Sequence, residues 1–270
     1  MTLPTSYLFV PGDRPDRFAK ALAAGAGVVV IDLEDAVAPD AKSAAREHIR
    51  AWSSAQQALA ANVVVRINDA TTPWFEADLE LVRACAIRGV MLPKAERAAD
   101  IAHCVAALAP DGIVIPIIET ARGVLGVDDV AAAPGAQRLA FGTLDYAVDV
   151  ELSGDERGLL YPACRMALAS RVAGIGAPIA GVTPEIGNDA KLETDLQFAR
   201  ACGFGAKLCI HPAQLALTHR AFAPSAEEIA WARRVVAAVA SGRGAVQVDG
   251  KMVDRPVVLK AQHILDRAPR

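Results

Sequence analysis

Residues Ile113–Tyr146 read IVIPIIETARGVLGVDDVAAAPGAQRLAFGTLDY, and this stretch decides how the rest of the chain is read. It holds two apolar runs, IVIPIIE and RLAFGTLD, which stop at Glu119 and Asp145. Neither run alternates apolar with polar residues, as a strand open to water on one face would. A carboxylate placed where a buried strand emerges is costly to desolvate unless something compensates it. The two acids are therefore either neutralised by a cation or salt-bridged at a rim, with Arg122 and Arg138 as the nearby candidates for the second arrangement.

Outward from this stretch the same unit recurs. SYLFVPG (6–12), GVVVIDLED (27–35), NVVVRIN (62–68) and GVMLPKA (89–95) precede it, and APIAGVT (177–183) and AKLCIHP (206–212) follow it. Helical patterns separate them: Phe18, Ala21 and Leu22 on one face, then spans over Asp40–Leu59, Trp74–Ala86, Glu96–Leu108, Leu160–Val172 and Asp189–Ala201, the last with Gly203 as a stop signal. Eight apolar strands, each followed by a helix, predict an α/β fold, a closed (β/α)8 TIM barrel. A doubly wound open sheet fits less well, because its first turn wants GxGxxG and PGDRPDR (11–17) is not that. One domain over 1–270 is expected, with a short C-terminal helical and hairpin extension from about residue 222. In it, Ser225 and Glu228 make a capping box for a helix through Val239, SGRGAVQVDGKMVD (241–254) reads as a hairpin, and Val257–Asp266 as a last helix.

The 270 residues are 53% hydrophobic with a net charge of −3, which permits a sizeable core and gives no basic footprint for nucleic acid. No apolar run approaches the roughly 18 residues of a membrane-spanning helix, and the first residues do not resemble a signal peptide. Five cysteines without a CxxC read as small core residues in a reducing compartment, so a cytoplasmic enzyme is expected.

In a barrel, functional groups collect at the C-terminal strand ends. Read in order, those ends carry Arg14, then Asp32, Glu34 and Asp35, then Arg66 with Asn68, Lys94, Glu119, Asp145, Thr183 with Glu185, and His211. Glu119 and Asp145 close successive strands, so both can reach one point. Two carboxylates without nitrogen or sulfur neighbours are hard ligands suited to Mg²⁺ or Mn²⁺ completed by water and substrate oxygens. Arg66 offers a fork to a substrate carboxylate or carbonyl, or pairs with Asp32 or Glu34. The crowded Glu34 and Asp35 suit proton transfer, or anchor Arg66. Arg14, Arg17 and Lys20 form a basic strand–helix junction that suits phosphate, or a solvated helix face. His211 reads as a ligand, a base or a rim histidine.

Together, VPGDRPDRFAKA, VIDLEDAV, VRIN, VMLPKAE, IPIIETARG, FGTLDYAVDV and GFGAKLCIHP resemble, in that order, motifs of the citrate lyase β-subunit-like family within the HpcH/HpaI aldolase/citrate lyase superfamily. The resemblance implies a TIM barrel, Mg²⁺, and carbon–carbon lyase chemistry. The substrate would be a 3-hydroxy-carboxyacyl-CoA such as citryl-CoA, malyl-CoA or citramalyl-CoA, divided into acetyl-CoA and a 2-keto acid. It implies Glu119 and Asp145 as metal ligands and Arg66 as the substrate-carboxylate arginine. The Leu144 backbone N–H would bind the chelated carboxylate, and Phe9, Arg14, Lys20, Ile210 and His211 would contact CoA. Glu34 and Asp35 match an acidic pair near the substrate. Asp254 is the residue placed to match an acid that longer members lend to a neighbouring subunit, and the assembly implied is a homotrimer or hexamer. Two other functions fit the same residues: a CoA-independent 2-keto-3-deoxy acid aldolase, and a citrate lyase β-like subunit working on an acyl-carrier protein.

Overall fold

Strands covered on both faces close on themselves in this chain. A computed structural model describes residues 3–55, 62–154, 156–240 and 246–268. Within it β1 (Ser6–Pro11), β2 (Val28–Asp32), β3 (Val63–Arg66), β4 (Gly89–Leu92), β5 (Ile113–Ile118), β6 (Arg138–Phe141), β7 (Gly176–Ala180) and β8 (Ala206–Cys209) pair in sequence order, all parallel, and β8 returns to β1. The connections carry helices α1 (Phe18–Ala23), α2 (Lys42–Ala55), α3 (Phe75–Ala84), α4 (Ala98–Ala107), α5 (Ala121–Leu125), α6 (Val127–Ala132), α7 (Thr143–Asp149), α8 (Leu160–Ala173) and α9 (Asp189–Ala201). The chain is a (β/α)8 TIM barrel followed by C-terminal helices. Of the expected Asp40–Leu59 helix, a short turn at Pro39–Ala41 replaces the start, and residues 56–59 lie outside the described residues.

The barrel interior is filled by alternate strand residues, among them Tyr7, Val30, Val64, Met91, Ile115, Ile117, Ala140, Ile179 and Leu208. The intervening residues face the helix layer, as the period of a strand requires. At the N-terminal end Arg138 is 1% exposed and donates to the carbonyls of Ala177 at 2.8 Å and Pro4 at 2.7 Å and to the Tyr7 hydroxyl at 3.3 Å. It is a structural plug in the barrel floor.

One boundary differs from the reading of the sequence and moves a functional residue. RLAFGTLD is not one strand: β6 stops at Phe141, and Thr143 opens α7, so Asp145 stands in the first turn of a helix. The break falls at Gly142, where a Cβ would lie 2.2 Å from Glu119 Oε2. Only glycine lets the chain pass the neighbouring acid that closely.

By its internal packing the chain divides into two units, Leu3–Thr218 and His219–Arg270, the division falling within helix α10 (Leu215–Phe222). The second unit holds α11 (Ala226–Ala240), the hairpin β9 (Val246–Val248) and β10 (Lys251–Val253), and α12 (Arg255–Asp266). The expected capping box is present: the Ser225 N–H donates to Glu228 Oε2 at 2.8 Å and the Glu228 N–H to Ser225 Oγ at 3.0 Å. The hairpin turns at Asp249–Gly250, both at positive φ; residues 241–245 of the expected hairpin lie outside the described residues. Ala232, Val235, Val248 and Ala261 form this unit's own apolar cluster. Asp254 accepts the Val257 N–H at 3.2 Å and caps α12, so in this chain its carboxylate has a local structural use.

Candidate active site

The register of β2 and β3 sets Asp32 directly beside Arg66 at the C-terminal rim. The guanidinium is held in a fork, Nε to Asp32 Oδ1 at 2.7 Å and Nη2 to Asp32 Oδ2 at 2.6 Å, with Nη1 2.7 Å from Glu34 Oε2. Its flat face lies 4.8 Å from the Phe9 ring centroid, a cation–π contact that fixes its plane. Asp32 in turn accepts the backbone N–H groups of Glu34 and Ala36, at 2.9 and 3.1 Å. Burial alone would lower the Arg66 guanidinium, but Asp32, Glu34 and Asp35 carry it above its ordinary value. The ion pair weighed for Arg66 is therefore present, and the same pair aims it.

Glu34 is 5% exposed, and burial is the main reason its carboxyl is pushed up to about 7, with Arg66 and Lys94 opposing and Asp35 and Asp32 adding to the rise. Crowding of the three acids, expected from the sequence, is thus the lesser cause. Lys94 Nζ lies 3.3 Å from Glu34 Oε1 and 3.8 Å from Asp69 Oδ2. A residue absent from the sequence reading supports the whole loop: buried Lys42 donates to the carbonyls of Leu33 at 2.8 Å and Glu34 at 3.0 Å, over the ring of Trp74. In sequence it looks like any lysine at a helix start. Asn68 ties the same loop to β3, donating to Leu33 O at 3.1 Å and Asp78 Oδ2 at 2.6 Å.

Across the mouth the balance is reversed. Glu119, immediately after β5, is 3% exposed and receives one fixed hydrogen bond, from the Lys94 N–H to Oε1 at 2.8 Å. Lys94 takes a left-handed φ of +46° to make it. Burial first, then the charges of Glu34 and Asp145, push Glu119 up to about 8. Neither arginine considered as a rim partner serves: Arg138 is in the barrel floor, and Arg122 faces Glu96 at 3.4 Å. A carboxylate driven upward by burial and then by neighbouring carboxylates is the electrostatic situation a divalent cation reverses. Among the described residues no group of three or more His, Cys, Asp or Glu could hold a metal alone. Two acids with the remaining positions left to water and substrate is the usual manner of holding Mg²⁺, and the donor set fits that ion.

These residues meet in one cavity of about 340 Å³, whose walls include Phe9, Asp32, Asp35, Arg66, Glu119, Gly142, Leu144, Asp145 and Ile210. Glu34, paired with Arg66, is not part of the wall. Three of the expected CoA contacts are elsewhere: Arg14 is exposed and forked onto Asp16 at 3.0 Å, Lys20 is exposed on α1, and His211 caps the turn after β8 by accepting the Ala213 N–H at 3.2 Å. Gln214 closes that corner, its Oε1 accepting the Ile210 N–H at 2.9 Å and its amide donating to Thr183 O at 2.9 Å. The cysteines are all free; Cys104, Cys202 and Cys209 are buried, whereas Cys85 and Cys164 are half-buried.

Residues 5–212 match the family model described as HpcH/HpaI aldolase/citrate lyase. A citrate lyase subunit beta-like protein of Mycobacterium tuberculosis is 39% identical over 268 residues, 97% of this chain and 94% of its own length. A (3S)-malyl-CoA thioesterase of Cereibacter sphaeroides is 33% identical over 276 residues, again 97% of this chain and 94% of its own. The crystal structure of the CitE protein of M. tuberculosis in complex with magnesium, acetoacetate and coenzyme A superposes with a TM-score of 0.86 at 38% identity, covering 99% of this chain and 98% of that one.

Proposed function

The chain belongs to the HpcH/HpaI aldolase/citrate lyase family, and from that premise we propose that it is a Mg²⁺-dependent carbon–carbon lyase acting on a 3-hydroxy-carboxyacyl-CoA. The observation that carries the reading is the single cavity in which Glu119 and Asp145 face the Asp32-clamped Arg66. It is supported by the magnesium and coenzyme A bound by the M. tuberculosis relative. The products would be acetyl-CoA and a 2-keto acid.

Glu119 and Asp145 would hold the ion, which when bound supplies a Lewis acid for the carboxylate and oxygen of the keto-acid half. Arg66 binds the same carboxylate; because Asp32 and the Phe9 ring already fix its plane, little entropy is lost on binding. The Leu144 N–H, in the cavity wall, is assigned to that carboxylate as well. Asp35 lines the cavity, while Glu34 is turned onto Arg66 and Lys94. We therefore assign removal of the substrate hydroxyl proton to Asp35 and alignment of Arg66 to Glu34. Phe9 and Ile210 flank the thioester end. Arg14, Lys20 and His211 are assigned to the CoA moiety outside the cavity, which requires Arg14 to leave Asp16.

We place the enzyme in the cytoplasm as a homotrimer or hexamer, with residues 1–270 acting as one functional domain. Among the described residues no helix is long and apolar enough to cross a membrane. The test is the lyase reaction run in reverse, as a condensation: acetyl-CoA with glyoxylate, pyruvate or oxaloacetate, with and without Mg²⁺. Product that needs the metal and disappears in Glu119→Ala supports the assignment; turnover of a free 2-keto-3-deoxy acid without CoA would replace it with the aldolase.

A further inference from the structure

A second cavity in the barrel unit, of about 260 Å³, shares the walls Phe141, Thr143, Leu144 and Val182 with the first. Much of the rest of its lining is apolar, with Leu152, Phe198 and Phe204 prominent; Glu156, Glu185, Lys191 and Asp195 line it too, and Lys207 reaches it from β8. Ala206 and Leu208 fill the barrel interior, so Lys207 points the other way, toward the helix layer. It is 1% exposed, and its ammonium donates to Gly181 O at 2.5 Å. Among the described residues no carboxylate stands within ion-pair distance of it. Asp195, on the same wall, is taken by Thr183 and Lys191, both at 2.5 Å, and Glu185 is exposed.

Among the described residues this buried ammonium uses one of its three N–H groups and has no carboxylate in ion-pair contact, the charge of Asp195 acting on it only from farther off. That is an expensive arrangement, and burial pushes Lys207 down to about 8. The lyase reading makes no use of this group. We propose that the second cavity is a binding site for a small monocarboxylate with a short apolar chain, the carboxylate on Lys207 Nζ and the chain between Leu152, Phe198 and Phe204. The walls select that class. One amine without a guanidinium fork matches a single carboxylate, and the apolar walls together with the acids Glu156, Glu185 and Asp195 penalise di- and trianions, which would carry unpaired or repelled charge into the cavity. The site is separate from Glu119 and Asp145 and does not depend on their role.

The test is thermal unfolding of the full chain in EDTA, titrated with acetate, butyrate and hexanoate, with hexanamide and hexylamine as neutral and cationic counterparts. A saturable rise in Tm that grows from acetate to hexanoate, is weaker with hexanamide and absent with hexylamine is expected. The rise should vanish in Lys207→Met, which removes the amine. It should also vanish in Ala199→Leu, which fills the cavity and leaves the amine, so the proposal stays testable if the first variant does not fold. It should persist in Glu119→Ala, which the lyase reading predicts to be inactive. No saturable rise, an equal rise with hexanamide, retention in both Lys207→Met and Ala199→Leu, or loss in Glu119→Ala would each overturn the site.

Discussion

The two sides of the barrel mouth carry the same side chain and treat it in opposite ways. On the β2–β3 side Asp32 and Glu34 face Arg66 and Lys94 within hydrogen-bond or ion-pair reach. On the β5–β6 side Glu119 has one backbone N–H, with Asp145 adding to its burden. The first side has its cations within the protein, although burial still raises Glu34, and the second is built for something the protein does not supply. Losing a partner and losing an acid should therefore have opposite consequences. The largest effect expected is in Glu119→Gln: a fall in condensation activity on the order of 10³-fold, the value of several kcal/mol of charge stabilisation. Metal-free stability should be unchanged or raised, and Mg²⁺ should no longer raise Tm. If the variant kept its Mg²⁺-induced shift, the cation would belong elsewhere.

That asymmetry was half legible in the sequence. The eight strands could be read because parallel strands buried on both faces must be runs of Val, Ile and Leu, and each run ended on a polar residue. Glu119 could be read because it breaks such a run at the rim. Asp145 was found as a residue but misplaced in a strand, because nothing local marks Gly142 until the neighbouring acid is in view. Arg14 shows what a motif leaves out: the basic cluster suggested phosphate, while the ion pair with Asp16, two residues away, became visible only in the fold. Lys42, Lys207 and Arg138 were invisible as buried cations, since a strand or helix pattern says which face is inward but not what a carbonyl at the end of another element will demand.

Arg66→Met turns the complete side into an incomplete one. Asp32 and Glu34 would then be buried without their cation, a change that costs about 3–5 kcal/mol when one member of a buried pair is removed. Urea unfolding of the metal-free protein should register that loss, and activity should fall with it. A variant of parental stability would mean that the N–H groups of Glu34 and Ala36 alone satisfy Asp32.

A pH series separates the sides without mutation. Glu119 in the metal-free fold titrates at about 8 and Glu34 at about 7, against an ordinary value of 4.5. An acid raised in the folded state binds its proton more tightly there than in the unfolded chain, so the native state holds more protons between pH 4.5 and 8. Stability of the metal-free protein should accordingly fall as pH rises through that window, by a few kcal/mol. Glu119→Gln should flatten the upper part, and saturating Mg²⁺ should do the same for the unmutated chain. A flat profile in EDTA would mean that the acid is hydrated and that the contrast between the two sides is smaller than the burial implies.

The smallest effect probes what keeps the complete side complete. Lys42 touches none of the cavity, yet it holds the carbonyls of Leu33 and Glu34 and so sets the path of the loop that presents Glu34 and Asp35. In Lys42→Met two buried acceptors lose their donor, at about 1–3 kcal/mol for an unsatisfied buried group. The burial that lowers the Lys42 ammonium offsets part of this, because removing a desolvated charge is itself favourable. The stability change should fall below that of Arg66→Met, while kcat drops more than KM changes, because the loop orients Arg66 and Asp35 and does not form the proposed metal pair. Mg²⁺ should still raise Tm, since Glu119 follows β5 and Asp145 stands in the first turn of α7, away from that loop. If Lys42→Met instead abolished the Mg²⁺ shift, the two sides would be one coupled unit joined through Lys94, whose ammonium faces Glu34 and whose N–H holds Glu119.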